Sequence, residues 1–162
     1  MGADRRLFEQ LNKLGGSYTV IVGIGHPLKG DDAVGTFICQ QLQHEKISAD
    51  IIDAASAPEN YIQPIIKKAP ANLIIIDAVD FGAPPGSMNI FEPHRLASLI
   101  VSTHTLSPHL FIDMITRSIK ADVYFIGIQP AQTQLGESLS APVEQTAGKL
   151  ISALERIFPP QK

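Results

Sequence analysis

A chain of 162 residues with 44% hydrophobic content has the length of one domain, and a domain of that size buries roughly 70% of its unfolded surface. No apolar run approaches the ~18 residues of a membrane span, and the opening MGADRRLFEQ lacks the apolar heart of a signal peptide, so a cytoplasmic protein is expected. The net charge of −3 and the scattered basic residues exclude the concentrated cationic stripe that a nucleic-acid binder needs.

Residues 1–16 are polar and predict a leading helix or a loosely held arm. Tyr18 to Ile24 is a β-branched apolar run, the pattern of a strand buried on both faces of a parallel sheet. A glycine-bounded loop, Gly25 to Gly30, follows it. Val34, Phe37, Ile38 and Leu42 then recur at helical spacing, predicting an amphipathic helix that begins near Asp31 or Asp32. The single cysteine, Cys39, lies in that apolar stretch and reads as a buried thiol. Further strands are predicted at Ala49 to Asp53, Asn72 to Asp77, Ser87 to Phe91 and Asp122 to Ile128. Helices are predicted near Pro58 to Lys68, Pro108 to Ile119 and Pro142 to Phe158, with a more irregular spacer after Phe91. Strands alternating with helices imply an α/β fold: a single three-layer domain over residues 1–162, with a twisted, mostly parallel five-stranded sheet flanked by helices on both faces.

In such a sheet, ligands bind beyond the carboxyl ends of the strands, where loops converge and helix N-termini point. The loop after the first strand carries Asp31 and Asp32. The run Leu73-Ile74-Ile75-Ile76 ends in Asp77, its first polar residue, and the fourth strand leads on to Ser102-Thr103-His104 and to His109. Two carboxylates and an imidazole suit a borderline divalent cation such as nickel or zinc, whereas calcium would want more oxygens. Each residue also has a plain reading. An Asp at a helix start serves as an N-cap, a strand-terminal Asp closes an Asx-turn, and a single loop histidine is commonly no ligand.

The chain resembles the hydrogenase maturation proteases, in particular the branch that processes hydrogenase 3. The likeness rests on Gly23-x-Gly25 with Asp31-Asp32 and Gly35, Ser56-Ala57-Pro58-Glu59-Asn60, Asp77-Ala78-Val79-Asp80, Pro85-Gly86-Ser87, Ser102-Thr103-His104 and Gly127-Ile128-Gln129-Pro130. These occur in the family's order over about residues 18 to 157. The resemblance implies an aspartic-type endopeptidase that removes the C-terminal extension of a [NiFe] hydrogenase large-subunit precursor after nickel insertion. It also implies a nickel-recognising, catalytic triad of Asp32, Asp77 and His104, the nickel being the precursor's, with no organic cofactor. A monomer is expected. Asp32 is preferred to Asp31 as the family's second acid, and His104 to His109 because the stretch from His104 to Asp113 matches the hydrogenase 3 branch without a gap. Two positions depart from the family. His26 stands where Asn is common, either adding a nitrogen ligand or shaping the loop, and Ala54-Ala55 stand where Gly-Gly often follows the second strand's Asp.

Two other classes remain. A non-catalytic nickel-binding assembly factor would use the same triad without cutting. A dinucleotide-binding domain shares the strand, Gly-x-Gly loop, helix and Asp53, but Leu28 stands where its third glycine belongs, and Asp31 and Asp32 would repel a pyrophosphate. Neither a Ser-His-Asp elbow in the first loop nor a Cys-His pair is present to support a covalent acyl-enzyme.

Overall fold

The computed structural model describes residues 2–99 and 106–161. Five strands form one sheet in the order β2-β1-β3-β5-β4: β1 Thr19–Ile24, β2 Asp50–Ala55, β3 Asn72–Ala78, β4 Met88–Phe91 and β5 Asp122–Ile128. β1 lies parallel to both β2 and β3, and β3 parallel to β5, while β4 runs antiparallel along the far side of β5. The described helices are α1 Gly2–Asn12, α2 Val34–Glu45, α3 Ile62–Lys68, α4 Pro93–Leu99, α5 Pro108–Thr116 and α6 Ala141–Ile157. Among the described residues, no helix is long and apolar enough to cross a membrane.

Successive strand side chains point to opposite faces, so one apolar run feeds two cores. Ile21, Ile74, Ile76, Ile126 and Ile128 join Leu7 and Leu11 of α1, Ile38 and Leu42 of α2, and Val143, Ala147, Leu150 and Leu154 of α6. Val20, Val22, Leu73, Ile75 and Phe125 face the other way, against Ile65 of α3, Leu96 of α4 and Phe111, Ile112 and Ile115 of α5. Each layer supplies its apolar stripe at three- and four-residue spacing, which is what seats a helix on a sheet.

Three particulars sharpen or correct the sequence expectations. Of the two alternatives for the residues before Tyr18, the leading helix forms, Gly2–Asn12, and it is no loosely held arm, since Leu7, Leu11 and Leu14 lock it and its exit into the core. The spacer after Phe91 is helical over Pro93–Leu99. The fourth strand is antiparallel, so its carboxyl end points away from the carboxyl ends of β1 and β3.

Two glycines fix how close α2 sits to the sheet. A Cβ on Gly35 would collide with the carbonyl oxygens of Ile24 and Ile76, and one on Gly23 would collide with the carbonyl of Gly35. The first turn of α2 therefore rests directly on the carboxyl ends of β1 and β3. This contact places the residues just before α2 beside the residue just after Ile76.

Candidate active site at the carboxyl edge

Those residues are Asp32, in the short 3₁₀ turn Gly30–Ala33 that leads into α2, and Asp77 near the end of β3. Asp77 is buried, 4% exposed. Burial and then the negative charge of Asp32 raise its carboxyl well above the ordinary range, against the opposing bond from the Ala78 N–H. Burial in low dielectric disfavours the charged form, and a like charge nearby disfavours it further. Asp32, half-buried, accepts the His26 N–H at 3.1 Å.

Neither Asp31 nor Asp32 is a helix cap. Lys29 and Ala33 occupy the cap positions, and no side chain bonds there. Asp31 instead turns inward, with no exposure at all. One of its oxygens accepts the Ser140 N–H at 2.7 Å; the other accepts the Ala131 N–H at 2.8 Å, the Gln132 N–H at 3.3 Å and the Ser140 hydroxyl at 2.8 Å. Adjacent acids thus have different work: Asp31 binds the segment after β5 to the first loop, and Asp32 is left beside Asp77. Nothing local in the sequence signals this, since the partners of Asp31 lie about a hundred residues on.

The rest of the edge is also held by named bonds. Ala55 adopts a left-handed conformation, φ 49°, at the bulge that ends the β1–β2 pairing, and its carbonyl accepts the Gly25 N–H at 2.8 Å. A non-glycine residue in that region is strained by ~1–2 kcal/mol, and Gly in the family's pattern would avoid it. Asp53 accepts the Ala55 N–H at 3.2 Å and the Gln40 amide at 3.3 Å, a structural role in place of a ribose contact. Gln129, buried after β5, accepts the N–H groups of Phe81 and Ala83 at 2.8 and 3.2 Å and donates to Asp80 at 3.1 Å. That arrangement stiffens the turn following Asp77, and the bonds from Gln129 and Gly82 hold the Asp80 carboxyl below its usual range.

His26 shapes the loop: its Nδ1 accepts the Leu28 N–H at 3.2 Å. His109, on the first turn of α5, has its Nδ1 at 3.1 Å from the Pro93 carbonyl oxygen. His104 lies outside the described residues. Among the described residues, no cluster of three His, Cys, Asp or Glu side chains able to hold a metal ion forms. The Cys39 thiol is buried with its pKa pushed up by that burial, and it donates to the Ile52 carbonyl at 3.7 Å. A thiol so placed is no nucleophile.

The family model described as hydrogenase maturation protease matches residues 37–157, a span that starts after Asp32 and includes Asp77 and His104. The chain belongs to this family of peptidases, and the model it matches is that of the HycI type. It is 30% identical to the hydrogenase 3 maturation protease of Escherichia coli over 138 residues, covering 84% of this chain and 88% of that protein. It superposes on the crystal structure of the [NiFe] hydrogenase maturation protease HycI from Thermococcus kodakarensis with a TM-score of 0.84 at 28% identity, covering 92% and 97% of the two chains. The hydrogenase maturating endopeptidase HybD from E. coli shares the fold, with a TM-score of 0.66 at 24% identity and coverage of 86% and 89%.

Proposed function

We propose that this protein is the endopeptidase that removes the C-terminal extension of a [NiFe] hydrogenase large-subunit precursor, and that it reads inserted nickel as the sign of maturity through Asp32, Asp77 and His104. The observation that carries the reading is the electrostatics of Asp77, a buried carboxyl raised by burial and by the charge of Asp32. A buried carboxylate and a second carboxylate near it repel one another, and a cation relieves that repulsion. Two carboxylate ligands with an imidazole form a donor set suited to nickel. A nickel ion already held by the precursor would complete the contact, so nickel-free precursor lacks the central attraction and is bound poorly.

A carboxyl raised above its ordinary range is a better proton acceptor, which is how an aspartate serves as a general base. In the aspartic-type route, a carboxylate oxygen of the pair that is not bound to nickel takes a proton from water as the water oxygen adds to the scissile carbonyl carbon. The proton then passes to the departing amine, leaving an acid and an amine. The nickel, when bound, supplies positive charge that orients the adjacent peptide. We place the protein in the cytoplasm as a monomer without an organic cofactor.

Purified protein mixed with nickel-loaded and nickel-free precursor, followed by intact mass, tests this. Cleavage of the loaded form alone is expected. Asp32→Asn, Asp77→Asn and His104→Ala should each slow it by about 10²–10⁴-fold, the scale of lost acid–base catalysis. Equal cleavage of both forms would discard nickel as the signal. No cleavage by folded protein would leave a nickel-binding assembly factor.

A further inference from the structure

A groove of about 580 Å³ runs along the outer face of α6, lined by Gln145, Gly148, Lys149, Ser152 and Arg156 together with Phe8 of α1. Spacing of three and four residues puts the α6 members on one face, while Val143, Ala147, Leu150 and Leu154 bury the other. No acid is among the lining residues. Among the described residues, Arg5, Lys68 and Arg117 each have a carboxylate partner, but Lys149 and Arg156 have none. On a chain of net charge −3, two unneutralised cations in one concavity are a local reversal of sign. Gly148 adds an independent observation. It lies within a 17-residue helix, where glycine is less stable than alanine, yet a Cβ there would meet nothing within 4 Å. No close packing demands the glycine, and its bare backbone leaves the groove open beside Phe8.

We propose that this groove is an exosite that seats an acidic, extended stretch of the precursor away from the bond to be cut. The assignment rests on the endopeptidase reading above. Charge complementarity selects an anionic occupant, and the remaining lining selects a peptide. The Gln145 amide and the Ser152 hydroxyl each donate and accept, as a peptide backbone does, whereas an ionised phosphate only accepts. Gln145 and Arg156 are about 16 Å apart along the axis at ~1.5 Å per residue, the reach of about five extended residues. Phe8 and the Gly148 backbone give an apolar floor for a side chain between the carboxylates. The Asp31 clamp ties Ser140, at the start of the same helix, to the first loop, so a stretch held on α6 is held in register with the loop that carries Asp32. The exosite acts in binding: complementary charge speeds encounter and lowers KM without touching the chemical step.

The experiment is steady-state cleavage of nickel-loaded precursor by the wild type, by Gly148→Leu, which fills the groove, and by the double variant Lys149→Glu with Arg156→Glu, each first shown to unfold no earlier than the wild type. Both variants should raise KM about tenfold with kcat within about twofold. Added salt should raise the KM of the wild type by screening attraction and lower that of the double variant by screening repulsion. Unchanged KM in both variants would overturn the exosite. Binding to vesicles of anionic lipid that the double variant loses, with KM unchanged, would assign the cations to a membrane surface instead. If the wild type cuts nothing, the endopeptidase reading has failed, and fluorescence anisotropy with a labelled peptide of alternating glutamate and leucine decides the groove separately. Binding at least tenfold weaker in both variants, and weaker still for a peptide with glutamine in place of glutamate, supports an acidic-peptide site. Equal or absent binding by all three proteins sinks it.

Discussion

The two ends of the sheet treat the same side chain in opposite ways. At the amino end, Asp50 accepts the Tyr18 hydroxyl at 2.7 Å and the Lys68 ammonium at 3.1 Å, and these donors, the hydroxyl first, hold its carboxyl below the usual range. At the carboxyl end, Asp77 is buried near Asp32 and its carboxyl is raised. Charge at Asp50 is welcomed and half exposed to water; charge at Asp77 is opposed by everything named around it except the Ala78 N–H. The difference separates an end built for stability from one holding unfavourable electrostatics that a bound cation would relieve, the arrangement expected where function overrides stability.

Replacing an acid at each end gives the largest contrast. Asp31→Ala strips a buried acceptor from four donors and should lower the unfolding free energy by about 2–4 kcal/mol, whereas Asp50→Ala should lower it by less than ~1 kcal/mol because that pair is solvent-screened. Urea titration of both variants measures the difference, and equal losses would show that the buried Asp31 clamp is no stronger than the solvent-exposed Asp50 pair.

The pH dependence sharpens it. A folded carboxyl raised above its unfolded value binds a proton that the unfolded chain releases, so Asp77 favours the folded state fully below the unfolded pKa near ~4, and that support drains away as pH rises toward the raised folded value. Asp77→Asn should therefore be more stable than the wild type at neutral pH, with the gap closing on acidification. Thermal melts across pH would contradict the account if the variant were less stable at pH 7.

Ala55→Gly should stabilise by up to about 1 kcal/mol, since relief of the left-handed strain outweighs the extra freedom glycine brings to the unfolded chain. A loss of stability in calorimetry would mean that the bulge is not strained. The smallest effect belongs to Tyr18→Phe, under about 1 kcal/mol. Burial, with the Asp50 carboxylate, pushes the Tyr18 phenol up to about 12. Because Asp50 is lowered, its contribution is present above the unfolded carboxyl pKa and lost as pH falls through the folded one. The deficit of Tyr18→Phe should thus appear at neutral pH and vanish in acid.

Much of this was legible beforehand for identifiable reasons. The β-branched runs of β1, β3 and β5 announce themselves, and Asp77 stood out as the first polar residue after one of them. Leu7, Leu11 and Leu14 already had core spacing, but the polar company they keep concealed it. The direction of β4 was not legible, because a short edge strand pairs either way with the same alternation. The inward turn of Asp31 was hidden because hydrogen bonds to distant backbone leave no local pattern. His104, the third residue of the expected triad, lies outside the described residues, so the geometry speaks for the two acids.

The Asp31 clamp has a further meaning during synthesis. Asp31 and Ser140 are separated by 109 residues, so the first loop emerges from the ribosome long before its anchor exists. At about 5–20 residues per second, the chain carries both aspartates for several seconds as an unframed pair. The acidic edge is therefore set only when the chain beyond β5 arrives to close it.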